Sequence, residues 1–225
     1  MHDERQPLLR RYQHQTGTAH ARRSNIEKQV PLKSGLTAYE EFFGANDPHS
    51  WSARMAAIKE FGFAVLTREV IEVLRSYAPL LEIGAGSGYW AYELNNAEVP
   101  CVATDPEPYS CVRTDLEALW LPVVRLSADE AIKRYGAGRA LLAVWPSYNQ
   151  DWCAAALEQH HAADGQWAII AHEGVGNCIG NDRMFDVLAR DWVSHRIVEL
   201  PQWSGIRDYL EIFRRRLPHD VALLQ

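Results

Sequence analysis

The most chemically suggestive stretch of the chain is Glu82-Ile83-Gly84-Ala85-Gly86-Ser87-Gly88, which places three glycines at alternate positions behind an acid. It follows the short apolar run Leu80-Leu81-Glu82-Ile83 and precedes a helical pattern that begins near Tyr89. Glycines let the backbone turn tightly and lie against a ligand where any Cβ would clash. A helix N-terminus adds free N–H donors at the same spot. Such loops also serve nicotinamide and flavin cofactors. A dinucleotide fingerprint starting at Gly84, however, needs its third glycine at position 89, where Tyr89 stands.

Other residues fall where such a loop would use them. The next apolar run ends at Asp105-Pro106, and a carboxylate there can accept two ribose hydroxyls, although a strand-end Asp is also an ordinary helix cap. Ser127-Ala128-Asp129 can meet an adenine amino group, with Glu130 one residue away. His172 and Glu173 close a later apolar run, and either can be tuned toward neutral pH as a general base. The same positions also suit a surface His and a Glu that holds a loop. Asp208, beside Arg207, can orient a substrate or simply solvate a turn. His160-His161 has no partner at metal spacing and reads as structural, so no metal site is expected.

The elements that position these groups alternate. Thr67 can cap a helix carrying Val70, Ile71, Leu74 and Ala78. Strands are expected at 80–83, 99–104, 122–126, 140–144, 167–171, 196–200 and 209–214. Helices are expected at about 89–95, 109–119, 128–135, 150–161 and 182–192. This order predicts an α/β fold: a doubly wound, mostly parallel seven-stranded sheet closed by a C-terminal antiparallel hairpin. Residues 1–35 read as a basic arm and 36–66 as a helical cap or lid. Residues 67–216 form the Rossmann-like domain, and 217–225 are a tail. The aromatics of the 36–66 segment equally suit a homodimer interface.

Bulk composition narrows the class. The 225 residues carry a net charge of −6, yet residues 1–33 hold seven Lys or Arg against three Asp or Glu. The acidic remainder argues against a duplex-binding surface, because phosphate contacts need clustered cations. No apolar stretch is long enough for a membrane span, and no secretory h-region is visible. The four cysteines (Cys101, Cys111, Cys153, Cys178) lack paired or metal-ligand spacing and read as reduced thiols of a cytoplasmic protein.

Taken with Asp105 and the closing hairpin, residues 67–215 resemble the class I, seven-stranded, S-adenosylmethionine-dependent methyltransferases. The resemblance implies S-adenosyl-L-methionine as cofactor. It implies cofactor contacts from Glu82, Gly84, Ala85, Gly86, Gly88, Trp90, Asp105, Pro106, Ala128, Asp129 and Trp145, with Phe63 of the preceding segment alongside. Amino-group methyltransferases of this kind often carry (Asp/Asn/Ser)-Pro-Pro-aromatic after the fourth strand. Here the motif reads Trp145-Pro146-Ser147-Tyr148, so its amine acceptor is missing, while Tyr148 can still form an aromatic wall. His172, Glu173 and Tyr148 are therefore the catalytic candidates, and a small molecule the expected substrate. The alternatives are a nucleic-acid methyltransferase using the basic arm and a non-catalytic cofactor-binding partner protein.

Overall fold

The computed structural model describes residues 35–108, 119–217 and 220. The basic arm and the expected helix at 109–119 (each apart from its last residue), Cys111 and most of the tail lie outside the described residues.

Three helices come first: α1 (Ala38–Gly44), α2 (Trp51–Phe61) and α3 (Arg68–Arg75). Each begins at a hydroxyl cap: Thr37, Ser50 and Thr67 accept from the backbone N–H three residues on. Thr37 and Glu40 complete a capping box. The alternating part then runs β1 (Leu80–Ile83), α4 (Tyr89–Asn96), β2 (Cys101–Thr104), α5 (Ala128–Tyr135), β3 (Ala140–Val144), α6 (Trp152–Ala162), β4 (Trp167–His172) and α7 (Asp182–Asp191). It closes with β5 (Trp192–Glu199) and β6 (Tyr209–Arg215).

The sheet order is β2-β1-β3-β4-β6-β5. The first four strands are parallel, and β6 runs antiparallel to both β4 and β5. Strand side chains alternate between two cores. Leu80, Leu142, Ile169, Leu210 and Ile212 pack with α1–α4 on one face. Leu81, Ile83, Leu141, Ala143, Ile170 and Phe213 pack with α5–α7 on the other.

The sheet has six strands among the described residues, one fewer than the sequence suggests. The expected strand at 122–126 is reduced to a single bridge, Thr104 to Val124. Val124 N–H donates to Ala103 and its carbonyl accepts from Asp105, but Pro122 has no N–H to extend the ladder.

The 36–66 segment is part of the first core. Tyr39, Phe61 and Ala64–Leu66 are buried within it. Its backbone carbonyls are held by side-chain donors: Trp120 Nε1 to Glu60 O at 2.7 Å, Trp90 Nε1 to Ala64 O at 3.3 Å, and Thr37 Oγ1 to Leu66 O at 2.6 Å. The Tyr39 hydroxyl sits 3.2 and 3.3 Å from the carbonyls of Gly62 and Phe63.

Candidate functional site

The carboxyl ends of β1–β4 share one edge of the sheet. The chain leaves β1 toward β2 on one side and reaches β3 on the other, which is where ligands settle in open α/β sheets. Gly84, Gly86 and Gly88 have φ of +66°, +52° and +75°, in the left-handed region. The three differ in what surrounds them. A Cβ on Gly84 would strike the Trp152 ring at 2.9 Å, and one on Gly88 would strike Leu121 at 2.8 Å. A Cβ on Gly86 would meet nothing within 4 Å. Two glycines are thus demanded by packing beneath the loop, and the middle one borders open space.

Asp105 braces that middle glycine. Its Oδ2 accepts the Gly86 N–H at 2.9 Å and its Oδ1 accepts the Glu107 N–H at 2.8 Å. Each oxygen keeps a lone pair for a further donor. Pro106, next in the chain, is exposed. Ala128 and Asp129 open α5. The Asp129 carboxylate lies below its usual range because of the Ser127 hydroxyl first and Lys133 second.

Glu82 sits behind the loop, near the end of β1. It is buried, and its Oε2 accepts the Ala91 N–H at 3.1 Å, which locks the start of α4 to β1. Burial pushes its carboxyl up to about 8, against the opposing Ala91 hydrogen bond. Trp90 is also buried and points into the core, onto Ala64 O. Both support the loop from behind.

Trp145 directly follows β3, has a left-handed φ of +53° and donates its backbone N–H to Ala171 O. Its ring stacks on Phe63 with centroids 4.9 Å apart and planes 11° from parallel. Its indole N–H donates to Asp208 Oδ1 at 2.7 Å. The strand register explains why Asp208 is there. His172 of β4 pairs with Tyr209 of β6, so the residue before Tyr209 meets the residue after His172. Glu173 completes the junction, its Oε1 accepting the Arg207 N–H at 3.0 Å.

Asp208 is 1% exposed, and its Oδ2 has no hydrogen-bond partner among the described residues. Burial first, and then the charge of Glu173, push its carboxyl up to about 7, against the Trp145 hydrogen bond and the charge of Arg54. Arg54 arrives from α2, and its buried Nε is likewise unpartnered. Sequence reasoning missed Arg54. The available signal was its place on the stripe shared with Ala57, Ile58 and Phe61, where a charge is out of character.

The expected catalytic trio does not assemble. His172 is 2% exposed, with Nε2 3.1 Å from Glu211 and Nδ1 accepting the Gly174 N–H at 3.1 Å. Both ring nitrogens are committed, and Tyr209 covers the ring. The residue therefore orders the β4–β6 junction and has no free lone pair for an acceptor proton. Tyr148 is 65% exposed, apart from the buried His172. Glu173 follows the end of β4 and accepts the Arg207 N–H of the hairpin connection. His160 contacts the Trp167 carbonyl, and Cys101 and Cys153 are buried free thiols. Among the described residues no group of His, Cys, Asp and Glu could hold a metal, and no helix is long and apolar enough to cross a membrane.

No protein-family model matches the chain, and no curated protein matches it. Solved structures similar to it include TrmN from Thermus thermophilus, at 15% identity and a TM-score of 0.45. That match covers 67% of this chain, which spans only 49% of the other. A protein in the NADB-Rossmann superfamily from Streptococcus agalactiae matches at 14% identity and a TM-score of 0.45, covering 64% and 67% of the two chains. The N-methyltransferase NodS from Bradyrhizobium japonicum, in complex with S-adenosyl-L-homocysteine, matches at 16% and 0.40, covering 80% and 97%.

Proposed function

We propose that the chain is an S-adenosylmethionine-dependent methyltransferase acting on a nitrogen or oxygen of a small molecule. The observation that carries the reading is the open space at Gly86 beside the Asp105 carboxylate, at the point where strand order reverses. The residues present suit this cofactor. The 84–88 backbone would lie against its amino-acid and sugar portions, Asp105 would accept the ribose hydroxyls, and the start of α5 would border the adenine. Position 89, where a dinucleotide fold wants glycine, is a buried Tyr whose hydroxyl accepts from Tyr39 N–H. When bound, the cofactor supplies an electrophilic methyl carbon. The chain's own work is to align an acceptor with it and exclude water. Trp145 and Phe63, stacked at the end of β3, supply an apolar wall for that purpose.

Calorimetry with S-adenosylhomocysteine tests this reading. Binding is expected at roughly micromolar Kd, with none for NAD. Asp105→Asn can still accept the Gly86 N–H through its amide oxygen, but its NH2 replaces the oxygen that accepts the Glu107 N–H and leaves one fewer acceptor for hydroxyls. It should weaken binding roughly ten- to a hundredfold. An effect under about twofold, with the thermal transition unchanged, would assign the ribose to another residue.

A further inference from the structure

The acceptor can be specified further, on the footing of the reading above. A carboxylate oxygen kept buried without a donor costs on the order of 1–3 kcal/mol or more, so a fold that retains one has a use for it. Asp208 retains one. Its Oδ1 is fixed by the Trp145 indole, and its Oδ2 is left over at the reacting edge. The groups acting on it are Glu173 from the β4 end, Arg54 from α2, Trp145 from the β3 end and the Tyr39 phenol from α1. Arg54 and Asp208 feel each other's charge yet do not pair, and each keeps a buried polar atom unmatched. Aromatic rings flank both groups: Trp145, which holds Asp208, stacks on Phe63, and the Arg54 guanidinium lies over the Trp51 ring, 5.6 Å from its centroid.

We propose that Asp208 is the substrate-binding group of this site, its Oδ2 accepting an N–H of the acceptor, and that the acceptor is a primary or secondary amine on an apolar or aromatic body. An amine arrives as an ammonium, which carries the donors Oδ2 lacks and is attracted to aromatic faces. It must shed a proton before its lone pair can react, and a carboxyl pushed up to about 7 can be ionised near neutral pH and still take that proton. The step balances. The nitrogen lone pair forms the N–C bond as the C–S bond breaks with its electrons staying on sulfur, and the N–H proton passes to Oδ2 and then to solvent. Asp208 thus supplies from the β5–β6 connection the acceptor that Trp145 lacks at the end of β3.

The test uses benzylamine as probe, with phenol and benzoate as controls, titrated into the full chain saturated with S-adenosylhomocysteine. Benzylamine should bind in preference to both controls, and more tightly as pH rises through about 7. Asp208→Asn should weaken it roughly tenfold or more, with S-adenosylhomocysteine affinity unchanged. Trp145→Phe, which removes the donor on Oδ1, should move the pH midpoint of benzylamine binding upward, and it provides a second reading should Asp208→Asn fail to fold. Preference for benzoate or phenol, no benzylamine binding up to about 10 mM, or equal binding by Asp208→Asn would overturn the proposal. Failure of the wild-type chain to bind S-adenosylhomocysteine would instead remove the cofactor reading, so the two failures are distinguishable.

Discussion

At the scale of single residues, the site turns on two carboxyls that are reluctant to ionise. Burial pushes Glu82 up to about 8 and Asp208 up to about 7. Below the ordinary carboxylate range both are protonated in either state and have no differential effect. As pH rises toward 7 and 8, the unfolded chain releases these protons and the folded chain holds them, so stability falls. Denaturant unfolding at about pH 5.5 and about 8.5 should show this loss, and Glu82→Gln should remove much of it while keeping an acceptor for Ala91 N–H. Equal slopes for the two proteins would mean that Glu82 ionises normally. The sequence singled out the glycine loop and Asp105 by residue type and spacing, and the structure joins the two through the Gly86 N–H. His172 was misread because a His ending an apolar strand looks the same whether it faces a groove or lies under Tyr209. Only the β4–β6 register, set by residues nearly forty positions apart, decides between the two.

At the scale of elements, most strands and helices could be read from apolar runs and caps, since local pattern and burial agree. The expected strand at 122–126 shrank to a single bridge where Pro122 removes a ladder donor. The aromatics of 36–66 have no place in a sheet, but Tyr39, Phe61 and Leu66 belong to the same core as Leu142 and Ile169. Thr37 is the joint. It caps α1, completes the box with Glu40 and donates to Leu66 O, while Glu40 also accepts the Arg68 N–H at 2.8 Å. Thr37→Ala should therefore cost about 1–2 kcal/mol of global stability by denaturant titration. A segment hung on the outside as a lid would give local opening in hydrogen exchange and leave the global midpoint in place.

At the scale of the whole molecule, two cores share one sheet, and the site lies where three distant stretches converge: Phe63, Trp145 and Asp208. Pairings of this span leave no periodic trace, which is why the orphaned oxygen of Asp208 could not be read from one sequence. The grip on residues 60–66 has a consequence for how the sequence can drift. Trp120, Trp90, Thr37 and Tyr39 hold that stretch by its carbonyl oxygens, which every amino acid provides. Glu60 and Phe63 are only partly buried, and this grip takes hold of their backbone. The information that fixes the segment is stored in the four residues that reach for it. A saturation library scored for soluble yield should show it as asymmetric tolerance, with broad acceptance at position 60 and near-intolerance at 37, 39, 90 and 120. Comparable intolerance at position 60 would show that its side chain, and not its backbone, is what the core reads.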